Sequence, residues 1–156
     1  MNATTTMRRR MPAQLQARGS LWRVGLLAAV LSAAMNAAIF TLAVALGIFP
    51  SLWIDPQAGA QMAIEPVILV SAVGAMAGVG VFALLRRRTE QPLRVFLWLA
   101  GAVLLVSFAA PFALPMSGAQ ILVLELLHLV VAAVVVGALL RWAAIRGYRS
   151  YRRERR

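Results

Sequence analysis

Four long apolar stretches, each close to the length of a membrane span, alternate with short polar or turn-rich segments along this chain. The first carries no charge from Val24 to Phe49, which is about 39 Å of helix at roughly 1.5 Å rise per residue. That exceeds a hydrocarbon core of about 30 Å, so the helix is expected to tilt or to end early near Gly47. A positive arm ahead of an apolar run also fits a signal peptide, with small residues at Ser32–Ala38. The run is far longer than a signal core of about 7–15 residues, however, so an uncleaved first helix is expected. Further spans are predicted at about 67–85, 95–114 and 121–140.

The punctuation between the spans is specific. Pro50, Pro56 and Gly59 forbid a continuous helix through the first connection, 50–66. Pro66 suits the first turn of helix two, and Glu65 is favourable at its positive end. Thr89–Pro92 form a short turn, while Pro111 and Pro115 bend or end helix three. Turn-length links at 86–94 and 115–120 make neighbours antiparallel. The fold class that follows is all-α, an integral membrane four-helix up-down bundle. Residues 1–20 read as a disordered basic arm, 21–142 as the transmembrane domain and 143–156 as a basic tail. The tail reads either as an amphipathic extension on the membrane surface or as solvated disorder.

Charge orients the bundle. All sixteen basic residues are arginines, clustered at Arg8–Arg23, Arg86–Arg94 and Arg141–Arg156, and none lies in 50–66 or 115–120. Positive segments are retained on the cytoplasmic side during insertion, so the pattern predicts an N-in/C-in protein of the inner (plasma) membrane. Trp22, Trp53 and Trp142 fall near predicted interfaces, as an aromatic belt requires. A hydrophobic fraction of 62% with only 13% charged residues excludes a soluble domain of this size. The net charge of +11 is accounted for by topology and by contact with anionic headgroups, not by nucleic acid. With no cysteine, disulfides, thiol redox chemistry and thiolate metal sites are excluded.

Inside the spans, polar residues are the informative ones, because lipid offers no hydrogen bonds. Glu125 and His128 lie three residues apart in helix four, on one face and about 60° apart. Counting from the arginine-free connections places Ser71 and Ser107 in the layer of Glu125, Thr41 near His128, and Asn36 closer to the midplane. One reading is a small polar cavity with Glu125 and His128 as ligand contacts or a proton relay. The other is a buried hydrogen-bonded pair that locks helix four to its neighbours. Glu-x-x-His also resembles half of a di-metal carboxylate site, but one histidine and scattered acids are too few ligands, so neither metal nor cofactor is expected. Gly74 and Gly78 form a small-xxx-small pair, suited to packing within the chain or to a homodimer seam. Gly25, Ala29, Ser32 and Asn36 make a second small-residue stripe.

Several local patterns taken in order carry a family resemblance. They are Gly47-Ile48-Phe49-Pro50, Gly78-Val79-Gly80-Val81-Phe82 ahead of the arginine run, and Pro92-Leu93-Arg94-Val95-Phe96. Ser107-Phe108-Ala109-Ala110-Pro111 and Leu124-Glu125-Leu126-Leu127-His128 complete the set. Over about residues 20–142 the chain resembles an uncharacterised family of small four-helix bacterial membrane proteins, domain of unknown function six-zero-six-nine. Its pattern commonly has methionine where this chain has Leu127. The resemblance implies a fold and a location and lends no catalytic role to any residue.

Three functions remain open on these grounds. The first is a membrane binding, interaction or accessory protein without catalysis, whose partner is a homo-oligomer or another membrane protein. The second is a small oligomeric transporter using Glu125 and His128 for proton coupling. The third is a lipid-modifying enzyme, for which no complete catalytic set is visible.

Overall fold

The computed structural model describes residues 13–49, 53–55, 60–61, 63–113 and 116–154. Four helices dominate: α1 Ala13–Ala45, α2 Ile64–Arg88, α3 Pro92–Ala109 and α4 Gly118–Glu154. A 3-10 turn, Ala110–Ala113, extends α3. Each helix contains a segment long and apolar enough to cross a membrane: Leu21–Ala45, Ile64–Arg88, Pro92–Ala113 and Gly118–Ile145. The protein is a transmembrane four-helix bundle.

Most helix ends follow from local chemistry. Helix α1 stops before Phe49, the predicted limit, because Gly47 adopts φ 74°, a conformation open to glycine at little cost. The Gly47 N–H then donates to the Val44 carbonyl and the Ile48 N–H to the Ala43 carbonyl. This paired arrangement, a Schellman motif, satisfies carbonyls that the helix end would orphan. Ile48 folds back against the cluster that contains Ala43. The early stop expected near Gly47 is therefore what the chain adopts.

Helix α2 begins three residues earlier than its apolar run and places Glu65 in its first turn and Arg86, Arg87 and Arg88 in its last. Both placements complement the helix dipole. Pro92 opens α3 instead of closing the preceding turn, since its missing N–H costs nothing at a helix start. The α-helical part of α3 ends at Ala109, before the expected 114, and Pro111 lies in the 3-10 turn. Helix α4 starts at Gly118 because Ser117 caps it. The Gln120 N–H donates to Ser117 Oγ and Gln120 Oε1 accepts from the Ser117 N–H, the reciprocal capping box of a Ser-x-x-Gln sequence. Gln120 Nε2 also donates to the Ile48 carbonyl at 2.9 Å, tying the end of α1 to the start of α4.

Three features depart from the expectations. Residues 13–20, read as part of a disordered arm, are helical and continuous with α1; residues 1–12 lie outside the described residues. The basic tail, read as either a surface extension or solvated disorder, continues α4 as helix to Glu154. The connection between α1 and α2, read as irregular, contains a short antiparallel ladder pairing Trp53 with Gln61 and Asp55 with Ala60. Alternating turn residues mask so brief a ladder, because two or three residues carry no measurable period.

The core has two apolar clusters. One lies toward the arginine-rich end and contains Leu21, Ala28, Ala75, Val79, Phe82, Phe96, Leu139 and Trp142. Phe82 stands at its centre, edge-on to Phe96 at 5.6 Å and to Trp142 at 6.0 Å. The Arg86 guanidinium lies 4.7 Å from the Trp142 ring centre, a cation–π contact at the edge of the apolar zone. The second cluster, toward the 45–64 connection, joins Phe40, Ala43, Phe49, Val67 and Leu127. Helices α1 and α2 make the tightest seam. A Cβ on Gly25 would stand 3.2 Å from Val79 Cγ1 and 3.3 Å from Met76 Sδ, so glycine there sets the helix separation.

Candidate functional site

Between the two apolar clusters lies a polar node shared by three helices. Asn36 of α1 is 1% exposed, and its Nδ2 donates to Ser71 Oγ at 2.8 Å and to the Leu127 carbonyl at 3.0 Å. Because a backbone carbonyl only accepts, the contact with Leu127 fixes the amide orientation. Both Nδ2 hydrogens are thereby used, and Oδ1 is buried without a partner. Ser32, one turn back on α1, is likewise fully buried with its hydroxyl unpartnered. The stripe Gly25, Ala29, Ser32 and Asn36 faces inward throughout. By helix rise, Asn36, Ser71 and Leu127 lie roughly 10–14 Å from the helix ends Ala45, Ile64 and Gly118.

Beside this node opens a groove of about 500 Å³, within the range of roughly 300–1,000 Å³ typical of ligand sites. Helix α4 forms its floor, while α2 and α3 supply the walls. Rim residues Val70 and Val81 of α2 and Leu99 and Val103 of α3 are exposed, so the mouth faces sideways, toward lipid in a bilayer. Two sequence features create the space. Gly74 and Gly78 place no side chain in it, and a Cβ on Gly74 would meet only Val131 Cγ1 at 3.8 Å. Helix α3 is also lightly buried: Phe96, near its start, is its one buried residue among those described.

Of the 22 lining residues, only Asn36, Ser71, Ser107 and His128 have polar side chains, and none is charged. Ser107 spends its hydroxyl on the Val103 carbonyl of its own helix, at 2.8 Å. His128 Nδ1 lies 2.7 Å from the Leu124 carbonyl. Nδ1 must therefore carry the hydrogen, and in that tautomer Nε2 is a lone-pair acceptor. Among the described residues no hydrogen bond engages Nε2.

The structure thus brings four of the five predicted polar site residues to one groove and leaves Glu125 off its wall. Both carboxyl oxygens of Glu125 are buried without a hydrogen-bond partner, so Glu125 and His128 share a helix face and are not bonded to each other. Thr41, expected in the same layer, is exposed and bonds its own helix at the Ala37 carbonyl. Gly78 also packs on α4, where a Cβ would lie 3.2 Å from Val135 Cγ1. Sequence reasoning overlooked Gln120, although Ser117-Gly118-Ala119-Gln120 bears a capping-box signature. It treated Ser32 only as a packing residue.

The chain belongs to the family of unknown function DUF6069, whose profile matches residues 16–144. No curated protein matches the chain significantly, and no solved structure does.

Proposed function

We propose that this family member is a membrane binding or accessory protein without catalysis, which holds a hydrophobic molecule in the groove between α2, α3 and α4. The observation that carries this reading is the combination of a laterally open apolar groove with polar groups gathered at one depth. An enclosed helix packing defect has no need of an exposed rim or of an unspent imidazole nitrogen on its wall. The test is native mass spectrometry from mild detergent, wild type beside Gly74→Leu. Leucine at position 74 extends into the groove from a site where its Cβ meets only ordinary contact. An adduct on the wild type and a bare Gly74→Leu chain are expected; equal adducts on both remove the groove from the explanation.

The same proposal places the protein in a bacterial inner membrane as an up-down bundle with both termini cytoplasmic. The arginine clusters would lie against anionic headgroups there. Contacts support the alternation: Gly25 is near Val79 while Asn36 bonds Ser71, so α1 and α2 run in opposite senses. The cysteine-free chain makes the sidedness easy to measure. In spheroplasts, Ala63→Cys is expected to react with a membrane-impermeant maleimide and Glu90→Cys only after permeabilisation. The reverse pattern inverts the topology.

The unpartnered carboxyl of Glu125 favours a second reading, a small oligomeric proton-coupled transporter. On that reading Glu125→Gln abolishes a pH-dependent flux in proteoliposomes and leaves the fold intact. Flux unaltered by Glu125→Gln, or fold lost with it, returns the residue to a structural role.

A further inference from the structure

We infer that the occupant of the groove is a neutral lipid bearing a hydroxyl, such as a long-chain or isoprenoid alcohol or a phenolic lipid. Its hydroxyl donates to Nε2 of His128, at the level of Asn36. This rests on the binding reading above and adds the chemistry of the ligand.

Hydrogen-bond polarity selects a donor. Most donors of the node are spent: both Nδ2 hydrogens of Asn36 are engaged, Ser107 bonds its own helix, and His128 Nδ1 bonds the Leu124 carbonyl. Ser71 accepts from Asn36 and keeps its own hydroxyl hydrogen. The acceptor left on the groove wall is Nε2 of His128; Asn36 Oδ1 also lacks a donor but is sealed from the groove. A ligand hydroxyl can donate to Nε2 and accept from Ser71 at once. A ligand carrying only carbonyl or ether oxygens can serve Ser71 alone.

Charge and depth narrow the class. No charged side chain lines the groove, so an anionic or cationic headgroup would enter apolar surroundings without a counter-ion. The His128 acceptor also lies roughly 15 Å below the start of α4 at Gly118, deeper than the headgroup of a phospholipid reaches. A single uncharged hydroxyl tolerates that depth. The lining runs along α2 from Pro66 to Val81, roughly 22 Å of helix, which accommodates an extended hydrocarbon chain entered sideways from the bilayer. Only the layer at Asn36 and His128 asks for polarity.

The experiment compares hexadecanol with its methyl ether, hexadecyl methyl ether, as probes for the full chain in detergent micelles, read by native mass spectrometry. The two share a chain and differ in the donor. Wild type is expected to prefer the alcohol by about tenfold, the ratio that one net hydrogen bond gives. His128→Phe keeps a ring in place and removes Nε2, so the preference should fall toward parity while both probes still bind. Gly74→Leu should bind neither. Equal binding of alcohol and ether by the wild type overturns the hydroxyl assignment and leaves the groove as a binding site. Binding of neither probe by the wild type, or of both by Gly74→Leu, overturns the binding reading together with it. The wild-type comparison decides the matter even if His128→Phe fails to fold.

Discussion

Phe82→Ala is expected to lower the unfolding free energy by about 2–4 kcal/mol, a little under the roughly 3–5 kcal/mol of an aromatic truncated in a water-soluble core. Phe82 is 2% exposed and touches Phe96 of α3 and the ring of Trp142 of α4 at once. In a bilayer there is little hydrophobic gain from moving a side chain from lipid to protein. The loss therefore comes from the cavity left behind and from two edge-to-face contacts, each worth roughly 0.5–1.5 kcal/mol. The effect should fall on α3 in particular, because Phe96 is the buried residue by which that helix holds the bundle. Unfolding by sodium dodecyl sulfate in mixed micelles measures the loss, and a double-mutant cycle with Phe96→Ala measures the coupling. A loss below about 0.5 kcal/mol, the size of an ordinary surface substitution, would mean that α3 is held elsewhere. The groove would then need another account of why its third wall stays in place.

The spans, the early end of α1 near Gly47 and the place of Glu65 at the start of α2 were legible because each rests on a simple rule, length against bilayer thickness or charge against the helix dipole. That Arg86–Arg88 would still be helical, closing the last turn of α2, was not legible from an apolar run ending at Leu85. The polar zone was legible only in part: helix rise converts residue counts into depth, which gathered the polar residues in one half of the membrane but set Ser71 with Glu125 and Asn36 deeper, although Asn36 bonds Ser71 directly. Azimuth was not legible in the same way. Glu125 and His128 differ by about 60° around α4, and that angle separates a groove-lining ring from a carboxyl off the wall. Which face meets which neighbour depends on how α3 leans, and α3 has no polar landmark to reveal it. Ser107, its single hydroxyl within the span, bonds its own helix. The groove itself is an absence of side chains at Gly74 and Gly78 opposite a lightly buried helix, and a small-xxx-small pair in sequence reads equally as contact or as space.

Asn36→Asp is expected to destabilise the bundle by about 3 kcal/mol, and Asn36→Leu by only about 1 kcal/mol, although aspartate is nearly the same shape as asparagine and leucine is not. Asparagine contributes two donated bonds to Ser71 and the Leu127 carbonyl. Interhelical bonds of this kind average roughly 0.6 kcal/mol in membrane proteins. Asparagine also buries an Oδ1 with no donor, which offsets part of that gain. Leucine removes the bonds and the orphan acceptor together. Ser71 can then turn its hydroxyl to its own helix, and the Leu127 carbonyl keeps a backbone donor. Aspartate instead turns a donating edge into an accepting one beside a carbonyl oxygen. In its charged form it adds roughly 2.5–3.5 kcal/mol for a carboxylate within the span. If Asn36 merely filled volume between the two apolar clusters, the order would be reversed and the isosteric change would be the milder. Chemical unfolding of the two variants in the same mixed micelles decides between these. The proposed order makes Asn36 a directional joint for α1, α2 and α4, and the reversed order makes the node a packing accident with no claim on the groove beside it.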